Sequence, residues 1–299
     1  MFSLASLVLL SAFITISASF AADSTPETDL ARGAYMTRIA GCADCHTIDP
    51  QKPMAGGLKL PSPFGSFVTP NITFDNETGI GRWTEQDFVT ALRYGKRPDG
   101  KLLYPAFPYR AYTKLRDEDL HAIFVYLKSL PPVHRENVPH DLSFPFDQRW
   151  LMNFWQELYF GTFSGDAEQK IRRGVGEFQP DPSKSDSWNR GAYLVESASH
   201  CTECHTPRNR MGGLVSDQWM SGSDLLGKTI PNITPDRETG KPWTRDQWLR
   251  FLRSGYSPSY HTPGDEMADV IRNTSYLTKE DREAMVDYLM SLKPVRREP

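Results

Sequence analysis

Cysteine is scarce in this sequence, with four residues among 299, and positive charge is not in excess. The chain has 34 Lys and Arg against 37 Asp and Glu, a formal charge of −3, which argues against nucleic acid as a partner. Beyond the N-terminal segment, the sequence lacks any apolar run long enough to span a bilayer. The rest of the composition is ordinary for a globular chain, and the length suggests about two domains.

The N-terminal segment, residues 1–21, is apolar or small and carries no charged side chain, since the first charge is Asp23. This pattern predicts a secretory signal peptide with cleavage after Ala21. Its start has no Lys or Arg, which is unusual for such signals, and an uncleaved membrane anchor is the alternative. We therefore expect an exported, periplasmic protein and leave peripheral membrane association open.

All four cysteines lie in two CxxC pairs, and a histidine follows each pair directly. The strings are CADCH, from Cys42 to His46, and CTECH, from Cys201 to His205. CxxCH is the attachment motif of c-type haem: both thiols form thioethers and the histidine ligates the iron. The sequence therefore predicts two covalently attached haem c groups. The covalent ligands would be Cys42, Cys45, Cys201 and Cys204, and the proximal iron ligands His46 and His205.

Two other interpretations of the cysteines have to be weighed. In an exported protein, four cysteines could form two disulfides, or together they could bind a zinc ion. Neither arrangement needs a histidine immediately after each second cysteine. The haem interpretation accounts for every cysteine and for both histidines.

The chain also repeats itself, because three blocks recur in the same order and with the same spacing. The matching blocks begin at Arg32 and Arg190, at Pro70 and Pro231, and at Asp117 and Lys279. A duplication with one haem motif in each copy predicts two domains, residues 22–130 and 187–299. Residues 131–186 would join them.

Each repeat is predicted to be mainly α-helical. Thr84 with Asp87, and Thr244 with Gln247, are capping-box signals for a helix in the middle of each repeat. The last helix of the first repeat has a clear helical period at Leu120, Ile123, Phe124, Leu127 and Leu130. No run alternates like a strand. We expect two tandem class I cytochrome c domains, with terminal helices packed across each other and the haem held among loops.

The linker is predicted to be partly helical. Aromatic and aliphatic side chains recur at helical spacing between Trp150 and Tyr159. One interpretation is a helix that packs between the two haem domains. The other is an exposed patch for a partner protein or a membrane surface.

The distal iron ligands are less clearly marked than the proximal ones. A haem that carries electrons usually has a sixth ligand, often a methionine from the loop before the last helix. Met267 occupies that place in the second repeat, and we predict it as the distal ligand of the second haem. Met211 and Met220 are weaker candidates.

The corresponding loop of the first repeat, YPAFPYRAYTKL, has no methionine, and Phe107 stands near the expected place. We predict Met152, in the linker, as the distal ligand of the first haem. Met54, His134 and His140 remain alternatives. An open sixth position is a further one, and an open haem can bind small ligands.

Other paired positions allow two interpretations each. Trp83 and Trp243, and likewise Arg93 and Arg253, could donate hydrogen bonds to haem propionates, or serve core packing and a solvated helix face. Asn71 and Asn232 each begin an N-I-T string that formally matches a glycosylation acceptor. Their recurrence at one repeat position favours a structural turn.

The strings RGAYL, CxxCHTPRN, SPFGSFVTPNITFDNETGIGRWTEQDF and YPAFPY followed by DEDL resemble cytochrome c subunits of bacterial membrane-associated dehydrogenases. That family serves alcohol, gluconate and related aldehyde or sugar dehydrogenases, and the resemblance covers most of residues 30–299. Its best-known members have three haems, whereas this sequence has two CxxCH motifs. The resemblance implies a two-haem relative that accepts electrons from a catalytic subunit and does not itself bind the organic substrate.

The expected function is therefore electron transfer from a partner dehydrogenase to a respiratory or other redox acceptor. We expect a non-catalytic subunit of an oxidoreductase complex and predict no catalytic residue. The alternative is a dihaem enzyme, peroxidase-like or thiosulfate-oxidising, that would use an open or weakly ligated first haem. The missing methionine in the Phe107 loop motivates that alternative.

Overall fold

The computed structural model describes residues 26–160, 175–225 and 227–297. The predicted signal peptide, residues 1–21, lies outside this part of the chain, as do residues 161–174 of the linker.

Five helices and a small sheet form the N-terminal half. The helices are α1 (Pro26–Ile39), α2 (Cys42–His46), α3 (Glu85–Tyr94), α4 (Tyr109–Tyr112) and α5 (Asp117–Ser129). The strands β1 (Lys59–Ser62), β2 (Gly65–Val68) and β3 (Asp141–Leu142) form an antiparallel sheet in the order β1-β2-β3. The third strand comes from the linker, so the linker is part of the fold of this half.

The linker also contributes α6 (Leu151–Tyr159), and the C-terminal half follows it. Its helices are α7 (Asp186–Tyr193), which continues as a π-helical turn (Leu194–Ala198), α8 (Cys201–His205), a short 3-10 turn (Ser216–Gln218), α9 (Arg245–Ser254), α10 (Asp265–Ser275) and α11 (Lys279–Ser291). Strands β4 (Ser223–Leu225) and β5 (Lys228–Ile230) form a second antiparallel pair.

The prediction of a mainly α chain is confirmed, but the expectation that no segment forms a strand is wrong. Each strand has two to four residues. Such strands are too short for an alternation of apolar and polar residues to be recognised in the sequence.

The two predicted capping boxes are present. Thr84 Oγ1 accepts from the Asp87 N–H at 3.1 Å, and Asp87 Oδ2 accepts from the Thr84 N–H at 2.9 Å. Thr244 and Gln247 make the same exchange at 3.3 and 2.9 Å. Each pair satisfies two backbone donors that a helix start leaves free, which explains why α3 and α9 begin where they do.

The first and last helices of each half cross at a glycine. A Cβ atom at Gly33 would lie 2.0 Å from the carbonyl oxygen of Ala122, and a Cβ at Gly191 would lie 1.9 Å from that of Ala284. No side chain fits at such a distance, so the helix backbones touch only because these positions are glycine. Both halves thus contain the crossing of terminal helices that the sequence predicts.

The hydrophobic core runs without interruption through both halves. Of the side chains predicted for the inner face of α5, four are buried: Leu120, Ile123, Phe124 and Leu127. They belong to the same cluster of buried side chains as Tyr193, Val286 and Leu289 of the C-terminal half. The boundaries proposed at residues 130/131 and 186/187 therefore remain predictions.

A buried carboxylate at the start of each last helix joins the two halves. Asp281 accepts hydrogen bonds from Arg190 of its own half, at 2.8 and 2.7 Å, and from the Tyr35 hydroxyl of the other half, at 2.7 Å. At the corresponding position, Asp119 accepts from Arg32 of its own half at 2.6 Å and from the Tyr193 hydroxyl across the interface.

A second pair of contacts also joins corresponding positions of the two halves. The Arg38 guanidinium lies 3.9 Å from the ring centroid of Tyr276, and at the corresponding positions Lys114 forms an ion pair with Glu196. The same two repeat positions, one from each half, are therefore in contact on both sides of the interface. This reciprocity is the geometry of an approximate twofold axis between the repeats.

The linker helix α6 has one buried and one exposed face, so each sequence interpretation describes part of it. Met152 and Trp155 are buried, and the Trp155 indole donates to the Met211 carbonyl of the C-terminal half at 2.7 Å. Trp150, Phe154 and Leu158, on the other face, are 60%, 67% and 69% exposed. None of the described helices is both long and apolar enough to cross a membrane.

Candidate haem-binding sites

Each CxxCH motif forms a short helix that begins directly after a left-handed residue. Gly41, with φ of 63°, precedes α2, and His200, with φ of 39°, precedes α8. The sharp turn lets the motif helix leave the preceding helix at an angle. Two cysteines three positions apart then lie on one face of the short helix, with the histidine at its end. All four thiols are free of disulfide bonds.

Both motif histidines are held in the same way. Nδ1 of His46 lies 2.8 Å from the Pro70 carbonyl oxygen, and Nδ1 of His205 lies 2.8 Å from that of Pro231. A carbonyl only accepts, so Nδ1 carries the proton and Nε2 keeps a free lone pair. Burial lowers the pKa of both imidazoles, which favours the neutral form that ligates a metal. These two side chains fit the role of proximal iron ligand.

The four cysteines of the described ranges have raised thiol pKa values and are not clustered as a zinc site requires. Burial raises the pKa of Cys42 and Cys201 to about 12, and that of Cys45 and Cys204 to about 11. No group of three or more His, Cys, Asp or Glu side chains in the described ranges could hold a metal ion.

The loops that carry Pro70 and Pro231 are closed by the asparagines of the N-I-T strings. In each loop the Asn Oδ1 accepts from the backbone N–H two residues later, at 2.9 and 2.8 Å, and Nδ2 donates to a distant carbonyl at 2.7 Å. The partners are Thr73 and Val133 for Asn71, and Thr234 and Val295 for Asn232. The prediction of a structural turn is confirmed, and the turn fixes the carbonyl that orients each histidine.

The segments that lead into the two motifs both contact Tyr112. The buried Tyr112 hydroxyl donates to the Ala40 carbonyl, two residues before Cys42, at 2.7 Å. The Tyr112 ring also lies edge-on to the His200 ring, directly before Cys201, with centroids 5.7 Å apart. One side chain therefore contacts the start of both attachment helices.

Charges repeat this arrangement. The Asp44 carboxylate, inside the first motif, accepts from Asn273 of α10 at 2.6 Å and lies 3.9 Å from Arg272. Arg110 of the first half and Glu203 of the second motif occupy the corresponding positions. Burial lowers the pKa of Arg110, and the negative charge of the nearby Glu203 opposes that decrease. Each haem motif thus lies against the segment before the last helix of the other half.

Met267 lies in the first turn of α10 and not in a loop, which corrects the local structure expected for it. Its side chain is half-buried and packs against the main hydrophobic core. Its role as distal ligand of the second haem stays a prediction.

Met152 is buried on the inner face of α6, in a smaller core cluster with Phe67, Tyr104 and Tyr109. Phe107 packs against the same cluster and also against the main core. Phe107 stands where a methionine ligand is expected, and Met152 is the methionine predicted to replace it. Both therefore pack in the same cluster. Ligation of the first iron by Met152 stays a prediction.

The two histidine alternatives differ in environment. His140 is half-buried, accepts from the Val68 N–H at 3.1 Å through Nδ1, and packs edge-on against Phe67 and Tyr104. It shares these neighbours with Met152. His134 is exposed and lies 3.5 Å from the Asp75 carboxylate. Of the two, only His140 lies beside the cluster that contains Met152.

Met54 and Met220 form a matched pair that lies outside the three repeat blocks. Both are buried and left-handed, with φ of 62° and 56°. The backbone N–H of each donates to the hydroxyl oxygen of the threonine after the motif histidine, Thr47 at 3.0 Å and Thr206 at 3.1 Å. Equal positions with equal bonds indicate a structural role. Aligning the two halves residue by residue beyond the CxxCH motifs could have revealed them.

The candidate propionate donors are unequal in the two halves. Arg93 is buried, donates to the Thr113 carbonyl at 2.7 Å and forms an ion pair with Asp117, so its guanidinium is used within the fold. Arg253 is exposed. Trp83 and Trp243 are half-buried and pack against the core.

Comparison with known proteins identifies close relatives of this chain. It is 39% identical over 268 residues to a "Diheme cytochrome c-type" protein of Cereibacter sphaeroides, which covers 87% of this chain and 85% of the relative. It is 34% identical over 287 residues to the gluconate 2-dehydrogenase cytochrome c subunit of Pantoea cypripedii, covering 92% of this chain and 62% of that protein. No protein-family model matches the chain.

A further relative is much longer. The chain is 38% identical over 265 residues to a subunit of the nicotinate dehydrogenase of Pseudomonas putida, which covers 88% of this chain but 21% of the relative. The dihaem protein of C. sphaeroides is thus matched over most of its own length, whereas the dehydrogenase subunits are matched over smaller parts.

Proposed function

The chain belongs to the family of dihaem c-type cytochromes and dehydrogenase cytochrome c subunits, and from this membership we propose that it is an exported electron carrier with two covalently bound haems. In this proposal it receives electrons from a partner dehydrogenase and passes them to a respiratory or other redox acceptor. The proposed location is the periplasm, and the support for export is the apolar N-terminal segment, residues 1–21.

One observation carries the proposal: two CxxCH helices with free thiols, each followed by an imidazole whose Nδ1 is bound to a proline carbonyl at 2.8 Å. This arrangement leaves Nε2 as the only coordinating atom of each ring. Cys42, Cys45, Cys201 and Cys204 would hold the two macrocycles. Met267 and, with less support, Met152 would complete the coordination.

Bound haem iron supplies reversible one-electron chemistry, and the residues of the chain determine how that chemistry is used. The proline carbonyls keep both imidazoles in one tautomer and orientation, which raises their basicity as ligands. Tyr112, in contact with the start of both attachment helices, holds the two motifs close to each other. Such proximity favours direct transfer of an electron from one half to the other.

The partner is proposed from the relatives. Proteins at 33–34% identity are cytochrome c subunits of alcohol, gluconate and fructose dehydrogenases. The physical support in this chain is the aromatic face of α6, where Trp150 and Phe154 are exposed on the helix that carries Met152. A donor that docks nearby would be close to the cluster around the predicted first haem.

The test is a spectroelectrochemical titration of the matured full-length protein, together with stopped-flow mixing with a reduced dehydrogenase of the alcohol or gluconate type. We expect two one-electron steps and reduction of both haems. A protein that binds no haem, or two haems that no dehydrogenase of these types reduces, would contradict the proposal.

A second candidate function rests on Phe107, which occupies the place of the expected methionine in the first half. If the first haem lacked a sixth ligand, the protein could act as a dihaem enzyme of the peroxidase-like or thiosulfate-oxidising type. Carbon monoxide binding to the reduced protein and a high-spin signal from one haem would favour this candidate. Two low-spin haems that bind no carbon monoxide would eliminate it.

A further inference from the structure

One position of the loops that hold the motif histidines differs in charge between the two halves. In both loops a backbone N–H donates to a threonine carbonyl at 2.8 Å: Ile80 to Thr73, and Lys241 to Thr234. The two residues therefore occupy the same place in the repeat. Ile80 is 5% exposed and part of the core. The second half has an ammonium group where the first half has a buried aliphatic side chain.

Lys241 has no anionic partner in the described part of the chain. Its Nζ lies 5.2 Å from the centroid of the Trp243 ring, and Trp243 packs in turn against Trp248 at 4.9 Å. Burial alone lowers the pKa of Lys241, with no carboxylate nearby to oppose it. The Trp243 ring attracts the ammonium group, but no carboxylate of the described ranges offsets the cost of its partial burial.

Lys241 lies in the loop that holds the second motif histidine, and its ammonium group lies against Trp243, one of the candidate propionate donors. The loop that begins at Pro231, whose carbonyl holds His205, closes on itself through the Lys241–Thr234 bond. The lysine thus stands in the same short loop that orients the proximal imidazole.

We propose that Lys241 forms an ion pair with a propionate of the haem attached at Cys201 and Cys204. The propionates are the anions that haem binding adds to this region. The first half has Ile80 at the matching place and cannot make this pair. The inference rests on the proposed function only in requiring that the second haem be present.

The ion pair has a defined effect on the reduction potential. Oxidised haem iron carries one more positive charge than reduced iron, and a free propionate stabilises it. Neutralising a propionate therefore favours the reduced state and raises the potential of the second haem. The lysine acts as a tuning residue that raises the potential of the second haem, in addition to any effect of its distal ligand.

The test compares Lys241→Ile, which copies the first half, with Lys241→Arg, which keeps the charge. The redox titration is followed by paramagnetic NMR, so that the methyl resonances of each haem report its own state. In Lys241→Ile we expect the reduced-to-oxidised ratio of the second haem at fixed potential to fall about tenfold, which is about 59 mV. The potential of the first haem should not change, and Lys241→Arg should keep the second haem at the potential of the parent protein.

Lys279→Met is the matched control, because it removes a lysine charge from the exposed surface of the same half. Resonance Raman bands of the propionates give a readout independent of the potential, and one of them should shift in Lys241→Ile. Unchanged potentials in Lys241→Ile, or an arginine variant that behaves like isoleucine, would overturn the ion pair while leaving the two-haem assignment intact. A protein without haem would instead overturn the proposed function.

Discussion

The two halves of the molecule hold their motif histidines in the same way. They differ in their candidate distal ligands and at the loop position of Ile80 and Lys241. His46 and His205 are each bound to a proline carbonyl at 2.8 Å, and both loops are closed by an asparagine. The candidate distal ligands, in contrast, come from unrelated elements. Met267 belongs to a helix inside the second repeat, whereas Met152 belongs to the linker.

This difference shows which parts of a duplicated fold can diverge. The helix crossing, the turn and the imidazole anchor are bonded internally, and the reciprocal contacts of Asp119 and Asp281 depend on both halves at once. A change in any of them costs stability. The elements that carry the candidate distal ligands and the loop position of Ile80 and Lys241 differ between the halves, and they are where two haem sites can acquire different properties.

The largest effect is expected at the helix crossings, where the two halves should behave alike. Gly33→Ala and Gly191→Ala would each place a Cβ within about 2 Å of a backbone carbonyl oxygen, at 2.0 and 1.9 Å. We expect losses above about 4 kcal/mol in the free energy of unfolding, or failure to fold. Denaturant unfolding of the haem-loaded protein measures this.

Gly264→Ala is the control for the crossings, because a Cβ there meets no atom within 4 Å. Its cost should stay below about 1 kcal/mol. If Gly33→Ala were as mild as this control, the close helix crossing would be wrong for the first half.

The next effect concerns the carboxylates that join the halves. Asp119→Ala removes a side chain that is 1% exposed and leaves the Tyr193 hydroxyl and Arg32 with fewer partners. We expect a loss of about 3 kcal/mol, because a buried ion pair is costly to break. Asp281→Ala should cost somewhat less, about 2 kcal/mol, since its side chain is 11% exposed.

Thermal unfolding of both aspartate variants, with the exposed Asp246→Ala as a reference, tests the comparison. Equal stability of the Asp119 variant and the reference would show that the reciprocal contacts do not stabilise the assembly.

Variants of the predicted distal ligands should each change only one of the two haems. Met267→Ala is expected to lower the potential of the second haem by about 0.1 V, well inside the ~0.8 V range that axial ligands span. Met152→Ala should change only the first haem. Visible and near-infrared spectra of both variants, compared with Met290→Ala as an exposed control, report which iron loses a methionine.

Unchanged spectra in Met152→Ala would remove that residue as a ligand and leave Met54, His134, His140 or an open position for the first haem. Unchanged spectra in Met267→Ala would in the same way exclude the ligand predicted for the second haem.

The smallest effect is a dependence of stability on pH. Although burial opposes ionisation, hydrogen bonds from Arg190 and Tyr35 hold the pKa of Asp281 below its usual range. The folded state thus binds this proton more weakly than the unfolded state, so the contribution is present above the ordinary Asp pKa of about 4 and is lost as pH falls through the lower folded value. Unfolding measured from about pH 6 downwards should show a weaker acid dependence in Asp281→Asn than in the parent. Equal slopes would contradict the lowered pKa.

The elements that the sequence predicts well are those with local causes. The capping boxes at Thr84 and Thr244 and the turns at Asn71 and Asn232 depend on side chains a few residues apart, so the sequence alone reveals them. The helical period of α5 follows from a single apolar face.

What could not be predicted depends on contacts between distant residues. Nothing near Tyr35 in the sequence indicates that its hydroxyl reaches Asp281. The repeat blocks pair Lys241 with Ile80, but they do not show that Ile80 is buried or that no carboxylate opposes the burial of Lys241. The proline and glycine before Met267 favour a loop, whereas the chain turns into α10 directly after Gly264. Such features appear only when the two halves are assembled.

Intact mass spectrometry of the matured protein tests the central claim most directly. The account predicts a mass increase of two haems over the polypeptide. One haem should be lost when Cys42 and Cys45 are both replaced by alanine, and the other when Cys201 and Cys204 are. A mass equal to that of the bare polypeptide, or two haems that persist when either cysteine pair is removed, would contradict it.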